Sequence, residues 1–369
     1  MFLLNYLRGV FLLTILLLLF ACPCSALQLS ADKAILLDAS SGDILYEKDA
    51  DAPAPPASTT KLMTALVALE CGIKADDMFE VSHAAVSVGG SSLYLQAGER
   101  VDGETLLYGL LLESANDAAV VLAEGLCETE ADFVRRMNEK AAELGMTETH
   151  FENPHGMPAE GHLSSAADLA RLMCAASQNA RLMELLCTQT YSSGSRFMTN
   201  HNKLLERIPA CDGGKTGYTK AAGRCLVSTA VICGRRYVAV TLDDPDDWDD
   251  HGEMYAYAEN LQTTVFFSYT DISRKLPVAG GGELLCTSVG GIRISVPVYL
   301  KDKLEVSYEL PRFVYPGICR GTQIGTAKII AGGCVSSAVS LYAAEDASLP
   351  VKAETVWSRI CSYIFGWLQ

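Results

Sequence analysis

Three short motifs carry residues able to do covalent chemistry: Ser58-Thr59-Thr60-Lys61, Ser114-Ala115-Asn116 and Lys215-Thr216-Gly217. A serine hydroxyl is a weak nucleophile and needs a base within hydrogen-bond reach. Lys61 follows Ser58 by one turn of helix, which puts its amine on the same face. A lysine amine is ordinarily protonated at neutral pH, with a pKa near ~10.4. Burial and a second cation, Lys215, are expected to lower it enough for the amine to act as base. Ser58 comes directly after Ala52 to Ala57, which holds three prolines, so its N–H is expected at the positive end of a helix dipole. Ser114 and Asn116 alternate by two, so both are expected to point into a cleft from one extended loop, with Ser114 assigned to relaying a proton to a leaving amine and Asn116 to holding a substrate amide. The competing reading of this pair is an N-cap for a helix over Asp117 to Glu124. Lys215-Thr216-Gly217 is expected as an edge strand beside Ser58. There Lys215 supplies positive charge, Thr216 a hydroxyl for a terminal carboxylate, and Gly217 room for close backbone approach.

In this order, and behind an apolar N-terminal segment, the three motifs are the signature shared by penicillin-binding proteins and class A β-lactamases. The chain resembles the low-molecular-mass penicillin-binding proteins, the serine D-alanyl-D-alanine carboxypeptidases of peptidase family S11. The resemblance runs from about Ala34 to the end and takes in Pro56 to Thr64, Asn153-Pro154-His155-Gly156 and Asp212 to Thr219. It implies an α+β fold, with a β-lactamase/transpeptidase-like catalytic domain, a C-terminal all-β domain and an amphipathic helix. It also implies removal of the terminal D-alanine from peptidoglycan pentapeptide stems through an acyl-enzyme on Ser58, with β-lactam antibiotics as inhibitors. The catalytic set is then Ser58, Lys61 and Ser114, and the substrate-binding set Asn116, Lys215, Thr216, Gly217 and Tyr218. By the same resemblance, the N–H groups of Ser58 and Tyr218 form the oxyanion hole. Ala115 and Tyr218 depart mildly from the family pattern, which usually has Gly or Asp at the first position and often His at the second.

Other chemistries fit less well. A Ser-His-Asp mechanism needs a histidine beside the nucleophile. His155, His162 and His201 lie in loop-like stretches, but no G-x-S-x-G elbow is present, and His155 with Asn153 reads as a turn former. A class A β-lactamase needs a glutamate to activate the deacylating water, and no E-x-x-L-N pattern follows Asn116. A D,D-endopeptidase remains open, as does a catalytically silent wall-binding protein. A serine acyl-enzyme calls for no metal and no organic cofactor.

The elements that must position these residues follow from periodicity. Ala34 to Leu37 and Ile44 to Tyr46 flank a Gly-containing tetrad as a β-hairpin. Thr59 to Glu70 is helical, with Leu62, Leu66 and Leu69 on one face and Gly72 ending the run. Helical spacing recurs over Gly103 to Glu124, Glu130 to Gly145 and Ala166 to Leu186. Leu226 to Ile232 and Tyr237 to Leu242 read as adjacent buried strands. Asp243 to Asp250 reads as a solvated acidic loop, since a calcium site would need the EF-hand spacing and its Gly. Beyond Tyr269 the texture becomes β-rich, through Ile292 to Tyr299, Leu304 to Leu310, Ala327 to Ile330 and Ala338 to Tyr342.

The chain of 369 residues, 49% of them apolar, is long enough for two domains. Its net charge of -15 and the lack of a Lys/Arg run exclude the basic footprint of a nucleic-acid binder. Arg8, the apolar run Val10 to Ala21 and Cys22-Pro23-Cys24-Ser25-Ala26 have the form of a secretory signal cut after Ala26. An uncleaved anchor and a lipid acceptor at Cys22 are the alternatives. Export to the outer face of the cytoplasmic membrane, the cell wall or the periplasmic space follows from any of these. The expected division is 1–26 signal peptide, 27–268 D,D-peptidase catalytic domain, 269–350 β-rich domain and 351–369 amphipathic helix. Thr355 to Gln369 separates into a polar face and a face holding Val356, Trp357, Ile360, Ile364, Trp367 and Leu368. That pattern suits the cytoplasmic membrane surface, or docking on the β domain. Of 13 cysteines, removing Cys22 and Cys24 leaves eleven; most are expected as free thiols, with one or two disulfides as the alternative.

Overall fold

β1 (Lys33–Asp38) reads Lys-Ala-Ile-Leu-Leu-Asp, apolar throughout its middle. Such a run suits a strand covered on both faces, and side chains that alternate across it reach two cores. Ile35 and Leu37 enter one, Ala34 and Leu36 the other. The computed structural model describes residues 27–347; the expected signal segment and amphipathic C-terminal segment lie outside the described residues.

β1 pairs with β2 (Ile44–Lys48) as the expected hairpin. Two small ribbons follow: β3 (Met78–Glu80) with β4 (Arg100–Asp102), and β5 (Thr190–Ser193) with β6 (Arg196–Thr199). β7 (Cys211–Thr219), β8 (Gly223–Ile232) and β9 (Arg235–Leu242) then complete a five-stranded antiparallel sheet of order β2-β1-β9-β8-β7. β7, which carries Lys215-Thr216-Gly217, is therefore an edge strand.

One face of this sheet is covered by the helices Lys61–Glu70, Gly103–Leu111, Asn116–Leu126, Glu130–Glu143 and Ala166–Ala176. The other is covered by the helix Asp247–Asn260, through Met254, Tyr255 and Ala258. The Lys61–Glu70 helix is not the one-faced helix the leucine spacing suggests. Every residue from Lys61 to Ala68 is buried, as expected for a helix packed on all sides. Its polar side chains are tolerated there because they find partners: Thr64 Oγ1 donates to Pro154 O at 2.6 Å, and Thr60 Oγ1 lies 2.9 Å from His162 Nε2.

Three further expectations are corrected. The helix expected over Gly103 to Glu124 is two helices, because the chain turns at Ser114 with φ +59°. The one expected over Ala166 to Leu186 breaks at Ser177 to Asn179, where the Asn179 side chain caps Ala180–Cys187 by accepting from Leu182 N. The acidic stretch Asp243 to Asp250 is not a solvated loop: Asp244, Asp247 and Asp250 are buried and Asp247 starts a helix. Protein donors reach each of these carboxylates, although Asp244 Oδ2 is buried without a partner. Asp250 accepts from Ala31 N at 2.9 Å, Asp244 from Ser30 Oγ at 2.9 Å, and Asp247 pairs with Arg224.

From Gln262 the chain is β-rich. It contributes β10 (Gln262–Phe267), β11 (Arg274–Pro277), β12 (Glu283–Thr287), β13 (Ile292–Pro297), β14 (Leu304–Glu309), β15 (Gln323–Ala331) and β16 (Cys334–Ala343). β10 pairs with β13, and the other five form a sheet of order β11-β12-β16-β15-β14. Ile294 and Val296 of β13 pack on Ile329 and Ala331 of β15. A buried ion pair ties this region to the five-stranded sheet. Arg235 Nε donates to Asp38 Oδ2 at 2.8 Å and Arg235 Nη1 to Ala331 O at 2.7 Å, while Tyr299 Oη donates to Asp38 Oδ2 at 2.9 Å. Helices segregated on antiparallel sheets make the class α+β. All ten described cysteines are free thiols.

Candidate active site

The proline-rich run ends in a 3-10 turn, Ala57–Thr60, that continues into the Lys61–Glu70 helix. Ala57 is held at φ +48°, a region L-residues avoid, and Thr59 Oγ1 locks the turn by donating to Pro56 O at 2.6 Å. Ser58 is thereby presented at the start of the helix with Lys61 one turn on. Lys61 Nζ lies 2.9 Å from Ser58 Oγ, 2.7 Å from Asn116 Oδ1 and 2.5 Å from His155 O. The amine is fully buried. Burial, and then the charge of Lys215, hold its pKa well below the ordinary lysine value, while Asp117 pulls the other way.

Asn116 begins its helix without acting as a side-chain cap. Its Oδ1 faces Lys61 and its Nδ2 donates to Gly89 O at 2.7 Å, which leaves one Nδ2 hydrogen over. Ser114, at its left-handed φ, buries a hydroxyl that has no hydrogen-bond partner. Buried polar atoms are nearly always paired, so this hydroxyl keeps its hydrogen-bonding capacity for a molecule entering the cleft it lines. Asp117 was not singled out by sequence, yet it shapes the site. Its carboxylate accepts from Ser92 Oγ at 2.6 Å, Leu93 N at 3.0 Å and Leu95 N at 3.2 Å. These contacts fix the loop that brings Ser91 to the cleft. An aspartate in a helix's first turn is the only local signal for it.

β7 closes the other side. A Cβ on Gly217 would lie 3.0 Å from Ser58 N and 3.1 Å from Pro56 O, so the glycine lets the strand pass directly against the serine's backbone. Lys215 is buried, its Nζ donating to Thr216 O at 3.0 Å, and burial lowers its pKa to about 7. Ser58, Ser114, Thr216, Gly217 and Tyr218 line one cleft of about 520 Å3, with Lys61, Asn116 and Lys215 buried behind its surface. Its far wall is Arg224, Asp247 and Trp248. Arg224 faces Tyr218 across the strands, pairs with Asp247 and lies 5.6 Å from the Trp248 ring centroid. Sequence reading missed this wall, because Asp247 and Trp248 were assigned to a solvated loop and Arg224 to no element.

The histidines do not bond to Ser58. Asn153 Oδ1 accepts from His155 N at 3.3 Å and Gly156 N at 2.7 Å, the turn expected for this pair, and it aims His155 O at Lys61. His155 Nδ1 accepts from Met157 N at 3.2 Å and His162 Nδ1 from Glu152 N at 3.0 Å. Burial first, and the Lys61 charge among the further causes, push their pKa values down to about 3 and about 4. His201 lies in the cleft wall, 3.5 Å from Glu113.

A cleft-lining serine bonded to a buried lysine at the start of a central helix, flanked by a Ser-x-Asn turn and a Lys-Thr-Gly edge strand, places the chain in the class of active-site-serine peptidases. Comparison with known proteins gives the family. Residues 21–246 match the Peptidase_S11 family, described as D-alanyl-D-alanine carboxypeptidase, and the chain belongs to it. It is 37% identical over 229 residues to the D-alanyl-D-alanine carboxypeptidase DacF of Bacillus subtilis, an alignment covering 59% of this chain and 58% of that relative. The chain thus spans less than two thirds of that relative's length. It is 33% identical over 306 residues to DacA of Escherichia coli, covering 80% of this chain and 72% of that one. Among solved structures, the D-alanyl-D-alanine carboxypeptidase DacD of Francisella tularensis superposes with a TM-score of 0.61 at 26% identity, over 87% of this chain and 94% of that one.

Proposed function

We propose that this protein is a serine D,D-carboxypeptidase that removes the terminal D-alanine from peptidoglycan pentapeptide stems, and that penicillins acylate the same serine. The contact set of Lys61 carries this reading. In its neutral form the amine has two N–H groups, and Asn116 Oδ1 and His155 O are acceptors that take both. The lone pair is left to the third neighbour, the Ser58 hydroxyl. Lys61 then takes the Ser58 proton as Oγ attacks the carbonyl carbon of the penultimate D-alanine. The oxyanion is held by the N–H groups of Ser58 and Tyr218. Ser114 relays a proton to the departing amine, free D-alanine leaves, and water hydrolyses the ester. Asn116 holds the substrate amide through its remaining Nδ2 hydrogen, and Thr216 with the Lys215 charge receives the terminal carboxylate.

The apolar N-terminal run supports export, and a wall substrate requires it. The amphipathic sequence of Thr355 to Gln369 supports attachment to the outer face of the cytoplasmic membrane. The chain reads as a catalytic domain followed by a β-rich domain, with the change near Leu261, because β10 already pairs with β13.

Intact mass spectrometry after exposure to benzylpenicillin, beside a Ser58→Ala control, tests the reading. One penicilloyl group on the wild type alone is expected, together with release of D-alanine from a D-alanyl-D-alanine peptide. A folded wild type that gains no adduct and turns over no drug would overturn it.

A further inference from the structure

A turn and a loop of the β-rich region meet beside the segment that follows β16. β11 runs into β12 through Val278-Ala279-Gly280-Gly281-Gly282, a turn with no charged side chain. Val314 lies against that turn, its N–H donating to Pro277 O at 2.9 Å and its carbonyl accepting from Ala279 N at 2.8 Å. Three residues on, Gly317 N donates to Ala347 O and Ala347 N to Ile318 O, both at 2.8 Å. Ala347 is thereby fixed to the same loop. Only residues 348–354 separate it from Thr355, a reach of at most ~29 Å at full extension.

This end of the region presents aromatic rings to water. Val314 is buried, and its neighbours in the extended loop point the opposite way. Phe313 is 48% exposed and Tyr315 69%, with ring centroids 5.4 Å apart. Paired exposed rings beside an uncharged turn form a patch, and a patch marks a contact surface where a single exposed residue would not. The charges around it balance. Arg312 and Arg320 are matched in number by Glu345 and Asp346, and Lys275 pairs with Glu283 at 3.0 Å. Despite the net charge of -15, this surface is therefore not one that anionic lipid repels. A bilayer that holds Thr355 to Gln369 comes within the tether's reach of the loop, and aromatic rings suit its headgroup level. We infer that Phe313 and Tyr315, with the glycine turn beside them, form a membrane-contacting surface that seats the β-rich region on the lipid bilayer. The inference rests on the reading of Thr355 to Gln369 as a membrane-attaching segment.

The test is flotation of the chain from Leu27 to Gln369 with vesicles of phosphatidylcholine and phosphatidylglycerol, in low and high salt. Wild type is compared with Phe313→Ser/Tyr315→Ser, with Phe313→Trp/Tyr315→Trp, and with Phe197→Ser. Phe197 is as exposed as Tyr315, at 69%, but lies in β6 of the catalytic domain. Thermal unfolding checks the fold of each variant. Removing both rings is expected to weaken vesicle binding about tenfold, equally at both salt concentrations because the contact is apolar. The tryptophan pair and Phe197→Ser are expected to bind like the wild type. A serine pair that binds as the wild type does overturns the inference. So does a deficit that disappears in high salt, one that Phe197→Ser reproduces, or one that the tryptophan pair shares. A wild type that does not float with the vesicles at all overturns the membrane-attachment reading itself, and this surface with it.

Discussion

A Cβ built on Gly156 would lie 1.9 Å from the carbonyl oxygen of Ala57. The loop that offers His155 O to Lys61 is thus wedged against the residue immediately before the nucleophile. Gly156 is at φ +85° and Ala57 at φ +48°, so both partners in the contact already occupy the left-handed region. The contact sets the spacing between Ser58 and the acceptor that orients its base.

Gly156→Ala tests that contact. The added methyl is expected to lower stability by about 3 kcal/mol and to slow benzylpenicillin acylation at least ~10-fold through displacement of Lys61. Denaturant unfolding and timed mass spectra measure the two effects. Wild-type values for both would show that the loops part without consequence.

The pH dependence of acylation is expected to have two limbs. With Lys61 as the proposed base, kcat/KM rises with pH through its lowered pKa and levels off far below the ordinary lysine range. With protonated Lys215 as the proposed receiver of the carboxylate, the rate declines above that group's pKa of about 7. Lys215→Ala removes a positive neighbour, which raises the Lys61 pKa and moves the rising limb to higher pH. A rising limb that stays in place would separate the two amines electrostatically.

Ser114→Ala is expected to split stability from turnover. The hydroxyl is buried without a partner, so its removal costs no hydrogen bond and leaves stability within about 0.5 kcal/mol. Loss of the proton relay lowers peptide turnover by about 10²-fold or more. Thermal unfolding and D-alanine release measure these; a large loss of stability with normal turnover would make Ser114 a structural residue.

Asp38→Ala is expected to do the reverse. It strands the buried Arg235 guanidinium, which also bonds Ala331 O across the boundary with the β-rich region. Removing one partner of such a pair costs about 3–5 kcal/mol. Acylation of Ser58 well below the melting temperature should match the wild type. A stability loss under ~1 kcal/mol would show that water replaces the carboxylate at this junction.

The motifs that meet in the candidate site were legible in the sequence because their constraints are local. Ser58 and Lys61 need a one-turn spacing, and Gly217 lies in the same short strand as Lys215 and Thr216. The strand pairs β1–β2 and β8–β9 were legible for the same reason, being apolar runs around short turns. The helix breaks at Ser114 and at Ser177 to Asn179 were not, because apolar spacing continues across both and only the backbone conformation interrupts it.

What the sequence by itself determined, then, is the order of the motifs, their family and the α+β class. Only the tertiary structure decided how Lys61 comes to be a buried amine with a lowered pKa. Burial and the Lys215 charge lower that pKa, while Asn116 Oδ1 and His155 O hold the amine, so separate segments gather around one side chain. It also decided that Asp117 braces the cleft and that Arg224 and Trp248 form its far wall. Desolvation and close approach depend on segments distant in the chain packing together, and no local pattern of residues encodes that.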